Sequence, residues 1–273
     1  MIEYEIKPQR KIDLGLSELI TYRELFFFFT WRDIKVKYKQ TMLGFAWAIL
    51  QPLLMMIIFT YFFGRALKVN TENIPYPAYV FGGLIVWNIF SGGLTAAANS
   101  MVSNANIIKK IYFPRLIIPL SSILVAFFDF VMACLILIAL LFYYHVQVSI
   151  PVFALTTIFS VVLACLASFG PGCLLAALNV KYRDFRYVIP FLVQVLLFVT
   201  PVIYPYQMIH HRWAKLIIAF NPMTAPIELF HSALANREPV YHLLYTSCIS
   251  IFVLLVSGLY YFRKTEAYFA DLA

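Results

Sequence analysis

The residues able to do chemistry are few, and the densest group sits near the start of the chain. Arg32, Lys35, Lys37 and Lys39 fall within eight residues. On a helix, Arg32, Lys35 and Lys39 stand at i, i+3 and i+7 and share one face. Such a face can receive a phosphate, because Arg binds it bidentately and Lys adds a point charge. It can also anchor the chain to anionic headgroups. A second candidate is Asp129, in the context FFDFV, the one ionisable acid or base near the middle of a long apolar stretch. An acid in that setting is a functional position, or a carboxyl bonded to a Ser, Thr or Tyr of a neighbouring helix. Asp184 with Arg183 and Arg186 is a sparser group, and His210-His211 beside Arg212 reads as an interfacial pair.

Several chemistries are excluded. No glycine precedes a lysine, so there is no P-loop. HExxH and GxSxG are absent as well. Cys134, Cys165, Cys173 and Cys248 all lie in apolar segments without CxxC spacing, as small hydrophobes in helix packing do. No cofactor site is expected in this chain, and any work it performs has to be driven from outside.

The elements that carry these residues follow from composition. The chain has 273 residues, 62% hydrophobic and only 12% charged, with mean hydropathy +0.82. Soluble domains carry about 25% charged residues, so this is a polytopic all-α membrane protein. The first residues are mixed-charge with no early apolar run, unlike a signal peptide. Residues 16–30 have a broad apolar side and read as a helix lying in the membrane interface. Residues 31–42 alternate like a strand, yet an unpaired strand near lipid is costly, so a separate short helix is expected. The basic run stops at Leu43-Gly44, and 45–63 carries no charge. Six spans are expected, at about 45–63, 78–98, 116–144, 151–178, 187–203 and 243–262. The chain thus divides into a region 1–44, with a cytoplasmic tail, the interface helix and the short helix, and a transmembrane domain 45–273.

Sixteen of the 21 lysines and arginines fall on one side of this arrangement. That bias puts both termini in the cytoplasm. On the other side, 204–242 is long but not polar. Amphipathic pieces near 213–220 and 224–235 flank Asn221-Pro222, with Thr224 suited to cap the second. They read as a re-entrant or interfacial helical hairpin. On the cytoplasmic side, residues 104–112 form a short helix with Ile107, Ile108 and Ile111 on one side and Lys109 and Lys110 polar. Deep aromatics such as Phe81, Trp87, Phe90, Phe127 and Phe130 are either packed or line a conduit.

The stretch RDIKVKYKQTMLGFAWAILQPLL at 32–54 resembles the opening of the membrane subunits of type-2 ABC exporters for polysaccharides, the group that includes O-antigen and teichoic-acid exporters. YFPRLIIPLS, NVKYRDFRYVIPFLVQ, PVIYP and FNPMT carry the same resemblance, which covers the whole chain in layout. It implies a homodimer of this chain with two ATPase subunits below, ATP and Mg being held by those subunits. It implies a lipid-linked polysaccharide as substrate, export across the bacterial plasma membrane, and no nucleic-acid partner. By the same resemblance, 31–40 is similar to a gate helix and Leu43-Gly44 to the turn after it. Residues 104–112, with Asn104, Ile107, Ile108, Lys109, Lys110 and Ile111, are similar to a coupling helix. The turn Asn221-Pro222-Met223-Thr224 is similar to an outer gate. A type-2 permease for a lipid, drug or small molecule, and a membrane enzyme acting on lipid-linked sugars, are the competing readings.

Overall fold

The span richest in small residues becomes the axis of the fold. The computed structural model describes residues 21–39, 44–71, 74–111, 113–182, 184–266 and 269. Among them are ten α-helices and no strand. In chain order these are α1 (Arg23–Lys39), α2 (Ala46–Phe59), α3 (Tyr76–Ser103), α4 (Ala105–Ile108), α5 (Ile117–Tyr143), α6 (Ile150–Lys181), α7 (Phe185–Val199), α8 (Arg212–Phe220), α9 (Thr224–Leu234) and α10 (Tyr241–Thr265). A π-helical stretch, Thr60–Ala66, extends α2.

Among the described residues, five helices are long and apolar enough to cross a membrane: Ala46–Ala66, α3, α5, α6 and α10. The expected fifth span is the exception. Its helix, α7, has 15 residues, about 22 Å at 1.5 Å per residue, against a hydrocarbon core of about 30 Å. Thr200-Pro201 stops it, because the residue before a proline is pushed out of the helical region; Thr200 is extended, with ψ 139°.

α3 packs along both α5 and α6 and is buried almost throughout. Its glycines permit this. A Cβ on Gly82 would lie 2.8 Å from Leu234, and one on Gly83 would lie 2.9 Å from His231 and 3.0 Å from the Val202 carbonyl. α6 and α10 touch backbone to backbone: a Cβ on Gly258 would lie 2.0 Å from the Gly170 oxygen. Close approach through small residues is how helices associate when no hydrophobic force separates lipid from protein.

α8 and α9 are the two short helices expected on either side of Asn221-Pro222. Ten of the eleven residues of α9 are buried, against α3, α6 and α10. The turn between them is tied by side chains. Asn221 Nδ2 donates to Thr200 Oγ1 at 2.8 Å, and its Oδ1 accepts from the Met223 N–H at 2.9 Å. Ser247 Oγ donates to the Asn221 carbonyl at 2.8 Å. Thr224 does not cap α9; it lies one residue inside the helix, and its hydroxyl closes the turn on the Ile218 carbonyl.

The interface helix and the short helix after it were expected as two elements, but from Arg23 to Lys39 they are one helix. Nothing breaks it at residues 30 and 31, because Thr30 Oγ1 bonds back to the Phe26 carbonyl at 2.9 Å and needs no other partner. Residues 16–20 and Leu43 lie outside the described residues. Gly44 has φ +51°, a left-handed conformation in which other residues are disfavoured.

Candidate functional site

From Ala78 to Met101, α3 is buried except along one stripe: Asn88, Ser91, Gly92, Thr95, Ala96 and Asn99. The spacing repeats every three or four residues, so the stripe is one helix face. It is made of polar and small residues. A face left open to lipid would be apolar, since hydrocarbon cannot satisfy amide and hydroxyl groups. This stripe fronts a space between α3 and the helices α1, α2 and α5.

The space is a pair of adjoining clefts. One, of about 300 Å³, is lined by Lys37 and Tyr38 of α1, Trp47 and Gln51 of α2, Asn88, Ser91 and Gly92 of α3, and Asp129 of α5, with Gly44 at its edge. The other, of about 770 Å³, runs on along Thr95, Asn99 and Asn104 of the α3 end, with Arg32 and Lys37 opposite. Lys37 and Gly92 line both.

Asp129 closes the first cleft against α1. Its carboxylate accepts from the Tyr38 hydroxyl and pairs with the Lys37 ammonium. Tyr38 is buried, with Phe45 and Phe128 packed on its ring. Burial, and then the bond to Asp129 and its negative charge, push the Tyr38 phenol well above the usual tyrosine range. Asp129 is thus both partnered from α1 and part of the cleft lining.

The basic face is split. Arg32 donates through Nε and Nη2 to Asp33 Oδ1, and through Nη2 to Asn104 Oδ1 at 2.7 Å. Lys35 lies over the Trp31 ring at 5.2 Å, and Lys35 and Lys39 are exposed. Lys37, on the opposite side of the helix from that face, is the lysine that reaches the cleft.

On the loop after α3, the isoleucines do not share a side. α4 has four residues and ends at Ile108. Ile108 is buried and Ile107 half-buried, while Ile111 comes off the following turn and is 61% exposed beside exposed Lys109 and Lys110. The turn Asn221–Thr224 belongs to the hairpin and lines neither cleft. Phe81, Trp87, Phe90 and Phe130 are core, and only Phe127 of that group is exposed. Asp184 is exposed at the start of α7. Among the described residues, no three His, Cys, Asp or Glu side chains gather as metal ligands would.

The sequence reading passed over the α3 stripe. Its signal was present: polar side chains at 88, 91, 95 and 99, spaced at the helical period within an apolar span. Gln51, in the uncharged run of α2, was a second such signal.

Five apolar helices around a cleft that a polar stripe enters define a polytopic membrane protein. The chain belongs to the ABC-2 type transporter family, whose pattern it matches over residues 24–235. It is 31% identical over 251 residues to an O-antigen export system permease protein, RfbA, of Klebsiella pneumoniae, covering 88% of this chain and 92% of that one. It is 27% identical over 263 residues to the RfbA permease of Myxococcus xanthus, covering 92% and 96%. The polysialic acid transport protein KpsM of Escherichia coli is 24% identical over 208 residues, covering 74% and 78%.

Proposed function

We propose that this chain is the transmembrane subunit of an ATP-driven exporter that moves a lipid-linked, O-antigen-like polysaccharide from the cytoplasm across the bacterial inner membrane. Two copies form the conduit, and two separate ATPase subunits supply ATP and Mg chemistry. The observation that carries this reading is the polar stripe of α3 facing Lys37, Tyr38 and Asp129. Hydroxyl and amide groups along about 16 Å of helix, the rise over eleven residues, suit a hydroxyl-rich polymer. A second copy covering the cleft mouth would shield it from lipid.

Six crossings with cytoplasmic termini fit the contacts. Asn179, near the end of α6, donates to the Ala98 carbonyl and to Asn99. At the opposite end of α3, Tyr76 Oη donates to the Ile203 carbonyl at 2.9 Å. The segment from Tyr182 to Ile203 thus runs from one end of the bundle to the other, although only part of it is helix. The hairpin reads as re-entrant. Ser160 lies ten residues into α6 and donates to the Pro226 carbonyl, which sets that contact about 15 Å below the helix start. We read the Asn221–Thr224 turn as part of an outer gate.

We read α1 as an interfacial gate element, whose exposed Phe27, Phe28 and Trp31 would face lipid. Arg32, Lys35 and Lys39, with Lys37 at the cleft, form the candidate phosphate-receiving group. Ile111, Lys109 and Lys110 form the candidate ATPase contact. The test is purification from native membranes followed by ATP-dependent transport in vesicles. Co-purification of a P-loop ATPase and accumulation of an intracellular lipid-linked glycan on deletion support the proposal. Transport of a small lipid or drug without effect on any glycan overturns the polysaccharide assignment. Export that persists with Arg32, Lys35 and Lys39 all changed to Gln removes the phosphate role.

A further inference from the structure

α1 grips the loop after α3 at both of its ends. At the start, Asn104 Oδ1 accepts from Arg32, while its Nδ2 donates to the Ser100 carbonyl at 2.8 Å. An Asn before a helix ordinarily caps it, but α4 has no side-chain cap, so the amide of Asn104 serves the tertiary contact instead. At the end of the loop, buried Phe113 packs on Phe29 of α1, with ring centroids 5.5 Å apart. Arg32 joins the two contacts, its guanidinium lying 4.7 Å over the Phe29 ring. Ile108 is buried in the same apolar cluster as Phe29 and Phe113, and Ile107 packs against it. Beyond this grip, the Arg115 N–H donates to Glu266 at 3.3 Å, which fastens the loop exit to the end of α10. The other end of α1 is held through Lys37 and Tyr38 on Asp129, through Phe45 and Phe128 on the Tyr38 ring, and through Ile34 and Tyr38 beside Val125.

We propose that Arg32 is a positioning residue: it binds α1 and the α4 loop into one mechanical unit, so that displacement of α4 carries α1 and parts it from Asp129, opening the cleft. The source of that displacement rests on the ATPase reading above. The unit itself does not.

Two measurements test this. The first is hydrogen exchange of the full chain in lipid nanodiscs, reading peptides over α1 and over residues 105–111. Losing one hydrogen bond of about 1 kcal/mol speeds local opening about fivefold. In Arg32→Ala, exchange is expected to rise by about that factor in both segments together. Arg32→Lys, which keeps a donor facing Asn104, is expected to leave both closer to wild type. A rise confined to α1, with 105–111 unchanged, overturns the unit. The second uses the complex with its ATPase. Arg32→Ala is expected to lower substrate moved per ATP hydrolysed by about tenfold, within the usual range of coupling energies, with hydrolysis itself retained. Arg32→Lys should restore part of that ratio. Hydrolysis and transport falling in parallel, or neither changing, overturns the positioning role. If the wild-type chain brings down no ATPase, the functional reading fails, and the exchange result alone decides whether the unit exists.

Discussion

Deleting the Tyr38 hydroxyl should unfasten the cleft end of α1. Tyr38 is buried and donates to Asp129, whose side chain is 20% exposed, whereas the Lys37 side chain on the same carboxylate is 47% exposed. A hydrogen bond to a charged acceptor contributes about 1.5–3 kcal/mol. A solvent-screened ion pair contributes about 0–1 kcal/mol. Tyr38→Phe should therefore destabilise the chain by about 2 kcal/mol, Asp129→Asn by about 1–2 kcal/mol and Lys37→Gln by less than about 1 kcal/mol. In a chain of this size each kcal/mol moves the melting temperature by about 2–4 °C. A thermal melt in detergent, read by a thiol-reactive dye that reaches buried Cys173 only on unfolding, would resolve these differences. The double variant Tyr38→Phe/Asp129→Asn should melt close to the worse single variant, giving a coupling of about 1 kcal/mol or more. Additive single effects would refute the reasoning, because they would mean that the two groups do not support one another. The pH dependence has a definite sign. The Tyr38 phenol is raised in the fold, so its contribution is intact below the ordinary tyrosine range and is lost as pH climbs beyond it.

Three other outcomes are expected. Gly258→Ala puts a Cβ 2.0 Å from the Gly170 oxygen, so α6 and α10 must separate, at about 1–3 kcal/mol, and the melting temperature should fall by several degrees; an unchanged melt would contradict the crossing. His231 is buried, stacked on Tyr79 at 3.8 Å with Nε2 donating to the Tyr79 carbonyl, and burial, aided by the charge of Arg237, lowers its pKa to about 3. Neutral His231 is thus fully stabilising above about pH 6.5, and each unit of acidification below that removes about 1.4 kcal/mol; His231→Gln should flatten the acid limb of a melt-versus-pH curve, and an unaltered limb would show that another group sets it. Ile111→Asp should leave stability within about 0.5 kcal/mol, as exposed substitutions do, while releasing a co-purifying ATPase; Ile108→Ala should cost about 2–4 kcal/mol, and a pull-down beside each melt separates the two effects.

Much of the architecture was legible because membrane spans announce themselves. Long apolar runs between polar segments locate the five long helices to within a few residues, since the hydrocarbon core has a fixed thickness. The helix ends ran beyond the apolar runs because backbone hydrogen bonding continues into residues of any polarity. The hairpin was legible for a related reason: 204–242 is apolar, yet Asn221-Pro222 interrupts it. The absence of catalytic motifs, the basic cluster and the singular Asp129 were equally plain from residue types alone.

What the chain order could not disclose was which side chains meet. Asp129 is 91 residues from Tyr38, and Arg32 is 72 from Asn104. Only packing decided that Arg32 becomes a strut while Lys37 reaches the cleft. Helical spacing sorts residues onto faces but not toward neighbours, because the rotation of each helix is set by the surface it buries. The same holds for α3. Its polar stripe is written in the sequence at the helical period, but it became a site only when α5 and α6 covered the rest of that helix and left this one face open.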